Sequence, residues 1–116
     1  MSGLTQATCV PCRGGVPTLT EAEIAALAPQ VAGWRVVEVE GIKRIVREFA
    51  FPDFAKAMTF AVQVGAIAES EGHHPDLHVA WGKVVVETWT HKIKGLHRND
   101  FILAAKVDEA YAKTAR

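Results

Sequence analysis

Three of the five histidines of this 116-residue chain, His73, His74 and His91, gather in one stretch with Glu69, Pro75, Trp81, Thr90 and Asp100. Three positions separate Glu69 from His73, five separate Pro75 from Trp81, nine more lead to His91 and eight to Asp100. A histidine titrates near neutral pH, so such a cluster suits proton transfer. Pro75 restricts His74 to an extended backbone, which makes the two adjacent rings diverge. His73, His74, His78 and His91 are also potential metal ligands. Adjacent histidines seldom both reach one ion, however, and the helical i, i+4 pair is absent, so no metal site is expected. The plain alternative is that these histidines cap a helix and solvate a strand end. Asp100, at the start of a helix, is explained as well by the helix dipole as by a functional role, whereas Glu69 in the last turn of its helix is mildly unfavourable to that dipole. His78 reads as a solvent-facing or interface residue, and His97 as a turn residue without a role.

The elements that must position these groups follow from periodicity. Thr20 followed by Glu21 and Glu23 predicts a short helix to about Ala28, stopped by Pro29. Trp34–Glu40 and Ile42–Phe51 read as a hairpin turning at Gly41. Pro52-Asp53 opens the longest helix, with Phe54, Ala57, Met58, Ala61, Gly65 and Ala68 as its apolar stripe and Gly72 as its end. Leu77–Trp81 and Val84–Thr90 make a second hairpin through Gly82-Lys83. Asn99 and Asp100 begin a last helix to about Lys113, with Leu103, Ala104, Val107 and Tyr111 facing inward. The order α-β-β-α-β-β-α predicts an α+β fold: a four-stranded antiparallel sheet with three helices packed on one face. Residues 1–17 read as a flexible N-terminal arm and 18–116 as a single domain. Four strands leave two edges, which invite a second subunit, so a homo-oligomer is expected.

Apolar residues make up 49% of the chain and charged ones 22%, as in a globular protein. Thirteen basic residues balance thirteen acidic ones, leaving no net field for a nucleic-acid backbone or an anionic membrane. No apolar run has the length of a bilayer span, and residues 1–13 lack the pattern of a signal or transit peptide, which points to the cytoplasm. Cys9 and Cys12 form a Cys-Val-Pro-Cys motif that supplies two of the four ligands a structural zinc requires. Plain reduced thiols in the arm, metal binding and a disulfide all stay open for it.

The spaced set from Glu69 to Asp100, and above all the stretch from Gly72 to Lys106, resembles the pterin-4a-carbinolamine dehydratase family over residues 18–113. The resemblance implies the same α+β fold and a substrate that is a reduced pterin hydroxylated at C4a. Water is eliminated to give a quinonoid dihydropterin, with no metal or redox cofactor needed. It further implies that His73 and His91 carry the acid–base work, that His74 positions substrate beside Pro75, and that Glu69 and Asp100 tune or orient the histidines. Trp81 is expected to give the pocket an aromatic wall, and Trp89 another. Thr90 is expected to hydrogen-bond backbone. Two positions depart from animal members: Gly72 replaces an acidic residue and Leu77 a tryptophan. Thr90 to Lys106 resembles the bacterial and plant branch, which includes dehydratase-like Rubisco assembly factors. A carboxysome-associated chaperone with the Rubisco large subunit as partner is therefore the alternative function, ahead of the transcriptional coactivator role of animal members. Family members form dimers and tetramers.

Overall fold

The computed structural model describes residues 3–10 and 14–114. Thr20 caps the first helix, α1 (Glu21–Leu27): its hydroxyl accepts the Glu23 amide at 3.2 Å while the Glu23 carboxylate accepts the Thr20 amide at 2.8 Å. The helical path does not stop at Pro29. It tightens into a 3-10 turn over Ala28–Val31, because a proline in the first turn of a helical segment lacks only an amide that would have no partner there.

Strands β1 (Arg35–Val39) and β2 (Ile42–Ala50) form the first antiparallel pair, and β3 (Asp76–Ala80) and β4 (Lys83–Thr88) the second. The two hairpins join through β2 and β4, giving the sheet order β1-β2-β4-β3 with β1 and β3 at the edges. Both strands of the second hairpin end earlier than the sequence suggests. Trp81 forms its turn with Gly82, and Trp89 and Thr90 continue past the ladder.

Strand residues two apart share a face, so Lys43, Ile45, Arg47 and Phe49 of β2 point together, and each meets a helix or the core. Lys43 lies 3.4 Å from Glu21 of α1. Arg47 lies 2.8 Å from Asp108 of α3 (Arg98–Ala112) and over the Phe49 ring. Phe49 packs on Phe60 of α2 (Phe54–Glu71) and on Tyr111 of α3, with centroids 5.0 and 4.8 Å apart. All three helices therefore cover one face of the sheet, and the core fills the space between. Asp108 bridges the layers by accepting from both Trp34 Nε1 and Arg47 at 2.8 Å. Burial raises its pKa, against the lowering effect of those two donors.

Asp53 caps α2 by accepting the Lys56 amide at 2.8 Å, and Gly72 ends it at φ 65°, a left-handed conformation that favours glycine. The buried stripe of α2 is Ala57, Phe60, Ala61, Val64 and Ala68. Phe54 and Met58, expected in that stripe, are instead exposed with Val62 on the outer side. The expected inward positions of α3 are present: Leu103, Ala104 and Val107 are buried and Tyr111 packs at the core's edge. This helix begins at Arg98, one residue before Asn99, and His97 caps it, its Nδ1 accepting the Asn99 amide at 3.0 Å. The reading of residues 1–17 as a flexible arm also needs correction for residues 3–10. Leu4 is buried in the core and its amide donates to Gln30 Oε1 at 3.2 Å, so this segment is part of the packed domain.

Candidate active site

Where α2 hands over to β3, the left-handed Gly72 turns the chain back so that the His73 amide donates to the Ala68 carbonyl at 3.2 Å. This reversal buries the His73 ring, whose Nε2 lies 2.6 Å from Asp100 Oδ1. Asp100 is fully buried. Its Oδ1 also accepts the Thr88 hydroxyl at 2.7 Å, and its Oδ2 accepts the Thr90 hydroxyl at 2.8 Å and the His97 amide at 3.0 Å. An acid surrounded by three other donors is an acceptor-only carboxylate, so His73 donates its Nε2–H to it and keeps Nδ1 for other partners. The reading of Thr90 as a backbone-bonding residue is therefore corrected: its hydroxyl binds Asp100. Thr88 and Thr90 reach the same carboxylate because, two residues apart, they project from the same face of an extended chain.

The remaining polar groups are more exposed. His74 Nε2 lies 2.5 Å from Glu69 Oε2, with 62% and 77% of the two side chains open to solvent. His91 begins a 3-10 turn, His91–Ile93, closed by hydrogen bonds between Thr90 and Gly95 at 2.8 and 3.4 Å. A Cβ at position 95 would fall 2.4 Å from Thr18 Cγ2, so glycine lets this loop pack against the chain entering α1. The His91 ring stacks on Trp89 with centroids 4.0 Å apart and planes tilted by 35°. The Arg44 guanidinium sits 4.6 Å from the Trp89 ring centre and pairs with Glu87 at 3.0 Å.

His73, His74, His91, Glu69 and Trp89 all line one cleft of about 600 Å³, a volume within the range of small-molecule sites. Asp100 lies beneath the cleft, outside its lining, bonded to two residues that do line it, His73 and Thr90. Trp81 is not among the lining residues. It is 74% exposed at the far end of the β3–β4 hairpin, because the strand that follows Pro75 runs away from the histidines. Pro75 is half-buried just outside the lining and fixes the backbone beside His74. His78 is exposed on β3. Among the described residues no three His, Cys, Asp or Glu side chains converge as metal ligands would.

Cys9, Val10, Glu71 and Asn99 also line the cleft, none of them marked as a site residue by the histidine spacing. Cys9 is buried, with its amide donating to Glu71 Oε1 at 2.8 Å. Burial, with the Glu71 carboxylate beside it, pushes the thiol up to about 12, so at neutral pH it is a packed, protonated group. Cys12, its partner in the sequence motif, lies outside the described residues. Burial pushes the Glu71 carboxyl up as well, but the Cys9 amide and Lys106, 3.0 Å away, outweigh it and hold the group below its ordinary value.

An open cleft with a carboxylate-anchored histidine in its floor and a second histidine on an aromatic platform gives this α+β protein groups of the kind that acid–base chemistry uses. The chain matches the family described as pterin 4 alpha carbinolamine dehydratase over residues 17–110, and it belongs to that family. A relative from Syntrophotalea carbinolica, provisionally named a pterin-4-alpha-carbinolamine dehydratase, is 50% identical over 93% of this chain and 96% of its own. One from Gloeobacter violaceus with the same provisional name is 52% identical over 95% of each. Among solved structures, a transcriptional coactivator/pterin dehydratase from Brucella melitensis superposes with a TM-score of 0.73 at 34% identity, covering 83% of this chain and 99% of its own. A pterin dehydratase-like protein identified as a RuBisCO assembly factor in the alpha-carboxysome shares the fold, with a TM-score of 0.59 at 24% identity over 72% of this chain and 93% of its own.

Proposed function

We propose that this protein is a 4a-hydroxytetrahydropterin dehydratase that works by histidine acid–base catalysis, with no metal or redox cofactor. The observation that carries the reading is the buried His73–Asp100 pair in a cleft shared with His91. With its Nε2–H held by the carboxylate, His73 presents Nδ1 as a base for the substrate's N5–H, and Asp100 stabilises the imidazolium that forms. His91 protonates the departing C4a hydroxyl. The C4a–O bond breaks, the N5–C4a double bond forms, and water leaves with the proton that His91 supplied. The proton taken by His73 passes to solvent, from which His91 is recharged, so the cycle is redox-neutral. His74, its backbone restricted by Pro75 and its exposed ring beside Glu69, contacts the pterin at the cleft mouth.

The same reading makes the protein a cytoplasmic homodimer or homotetramer. Strands β1 and β3 are sheet edges, and Phe54, Met58 and Val62 are exposed on α2. None of the described helices is long and apolar enough to cross a membrane. The likeness to the RuBisCO assembly factor is one of fold, which hosts more than one function.

The test is dehydration of 4a-hydroxytetrahydrobiopterin. Wild-type protein should accelerate it over buffer, His73→Ala and His91→Ala should each lose on the order of 100-fold, and the double variant should approach the spontaneous rate. Wild-type protein that does not accelerate the reaction overturns the reading and brings RuBisCO assembly forward as the function to test.

A further inference from the structure

The family match begins at residue 17, yet Cys9 and Val10 line the same cleft as the histidines. Several contacts fix them there. Leu4 anchors the segment in the core. The Cys9 amide is held by Glu71 at 2.8 Å and its thiol lies 3.5 Å from the Asn99 carbonyl. The Asn99 side chain, only 2% exposed as a residue, spends both of its polar atoms on Val10: Oδ1 accepts the Val10 amide at 3.0 Å and Nδ2 donates to the Val10 carbonyl at 2.7 Å. A buried amide paired reciprocally with one backbone residue fixes that residue as a strand partner would. The clamp also lies next in sequence to Asp100, the anchor of His73. Val10 itself keeps 57% of its surface free although its backbone is fully engaged.

We propose that Cys9 and Val10 form a permanent wall of the cleft, clamped by Asn99 and Glu71, and that the Val10 side chain is a specificity-determining contact for the reduced pterin. This deepens the dehydratase reading and rests on it. A backbone held at both amides does not open and close with each turnover, so the wall restricts the width of the cleft. Its apolar side chain gives the substrate a surface that moves no proton. Such a contact acts alike on bound substrate and transition state, so altering it changes KM and leaves the chemical step nearly intact.

The experiment uses the full chain with 4a-hydroxytetrahydrobiopterin. Val10→Trp, at a position exposed enough to accept the larger side chain, should raise KM about tenfold while kcat stays within about twofold. Asn99→Ala should raise KM by about threefold or more, and should remove hydrogen-exchange protection from the Cys9 and Val10 amides that the wild-type protein shows. Normal wild-type turnover with unchanged KM in Val10→Trp overturns the wall while the dehydratase reading stands. Unprotected Cys9 and Val10 amides in the wild-type protein overturn the clamp. Wild-type protein without dehydratase activity overturns both readings together.

Discussion

His73 and His74 each lie against a carboxylate, but His73 meets a fully buried Asp100 that accepts three further hydrogen bonds, whereas His74 meets a Glu69 that is mostly in water. Burying a carboxylate costs several kcal/mol unless donors surround it, and Asp100 has four. Its cost was met when the chain folded, which leaves the His73 ring fixed in orientation and tautomer before any ligand arrives. The His74–Glu69 pair has no such enclosure. Its Coulomb attraction is screened by solvent, and both side chains can turn toward a ligand with little loss. Two adjacent histidines with one acid each thus sit in different settings, one ring fixed in advance and the other adaptable, which in the proposed reaction suits a base and a substrate contact.

The most severe way to break this contrast is at Asp100. Asp100→Asn keeps the shape but replaces one acceptor oxygen with a donor facing other donors, leaving buried groups unpaired. Unfolding in denaturant should show a loss of about 3 kcal/mol. The kcat for dehydration should fall by about 100-fold or more, because an amide no longer selects the Nε2–H tautomer of His73. If this variant loses no more stability or activity than the corresponding change at Glu69, the distinction between the two pairs is wrong.

The chain's periodicities reveal most of this architecture and less of the environments within it. Strand alternation, the Thr20 and Asp53 caps and the Gly72 stop follow from local chemistry, so the order of elements is legible. The distribution of α2 between core and surface is not: its apolar residues surround most of the helix, and the packed partners Phe49, Phe51 and Tyr111 select Phe60 over Phe54. For the site, the histidines stand out because the residue type is rare and titrates usefully. Thr88 and Asn99 are common residues that matter through contacts made across the fold, and Trp81 misleads because nearness in sequence hides a strand running away from the cleft. The Cys9 segment looks loose by its glycines and prolines, while the hydrogen bonds that hold Cys9 and Val10 come from residues more than sixty positions away.

A second test compares two partly buried carboxylates, one at the cleft and one between the helices and the sheet, under acid. Glu71 has its pKa held below the ordinary value of 4.5 by the Cys9 amide and Lys106 against the opposing effect of burial. Its contribution is therefore fully present above pH 4.5 and is lost as pH falls through the folded value. Protonation should release the Cys9 amide, seen as a drop in its exchange protection as pH is taken below 4.5 and through the lowered folded value, after correction for the intrinsic rate. Asp108 works in the opposite sense, since burial raises its pKa and protonation on acidification relieves that cost. Global melting mixes the two, so the local amide is the proper readout. In Glu71→Gln the protection should be weaker at neutral pH and no longer change across that acid range.

The smallest effect should come from the exposed pair, and its smallness is informative. Glu69→Gln removes the charge opposite His74 but keeps a side chain able to hydrogen-bond, at a place where water can replace whatever is lost. Stability should change by no more than about 0.5 kcal/mol, as for other solvent-screened pairs. The kcat/KM for 4a-hydroxytetrahydrobiopterin should fall by no more than about threefold, with the loss in KM, because in the proposed reaction His74 and Glu69 act on the bound pterin rather than on its protons. At a pH low enough to protonate His74, raising the salt concentration should reduce the wild-type protein toward the Glu69→Gln value while leaving the Asp100-dependent step unaltered, since screening reaches a surface pair and not a carboxylate sealed beneath the cleft. A large kcat effect from Glu69→Gln that salt does not imitate would instead place His74 among the groups that transfer protons, and the contrast between the two neighbouring histidines would have to be drawn the other way.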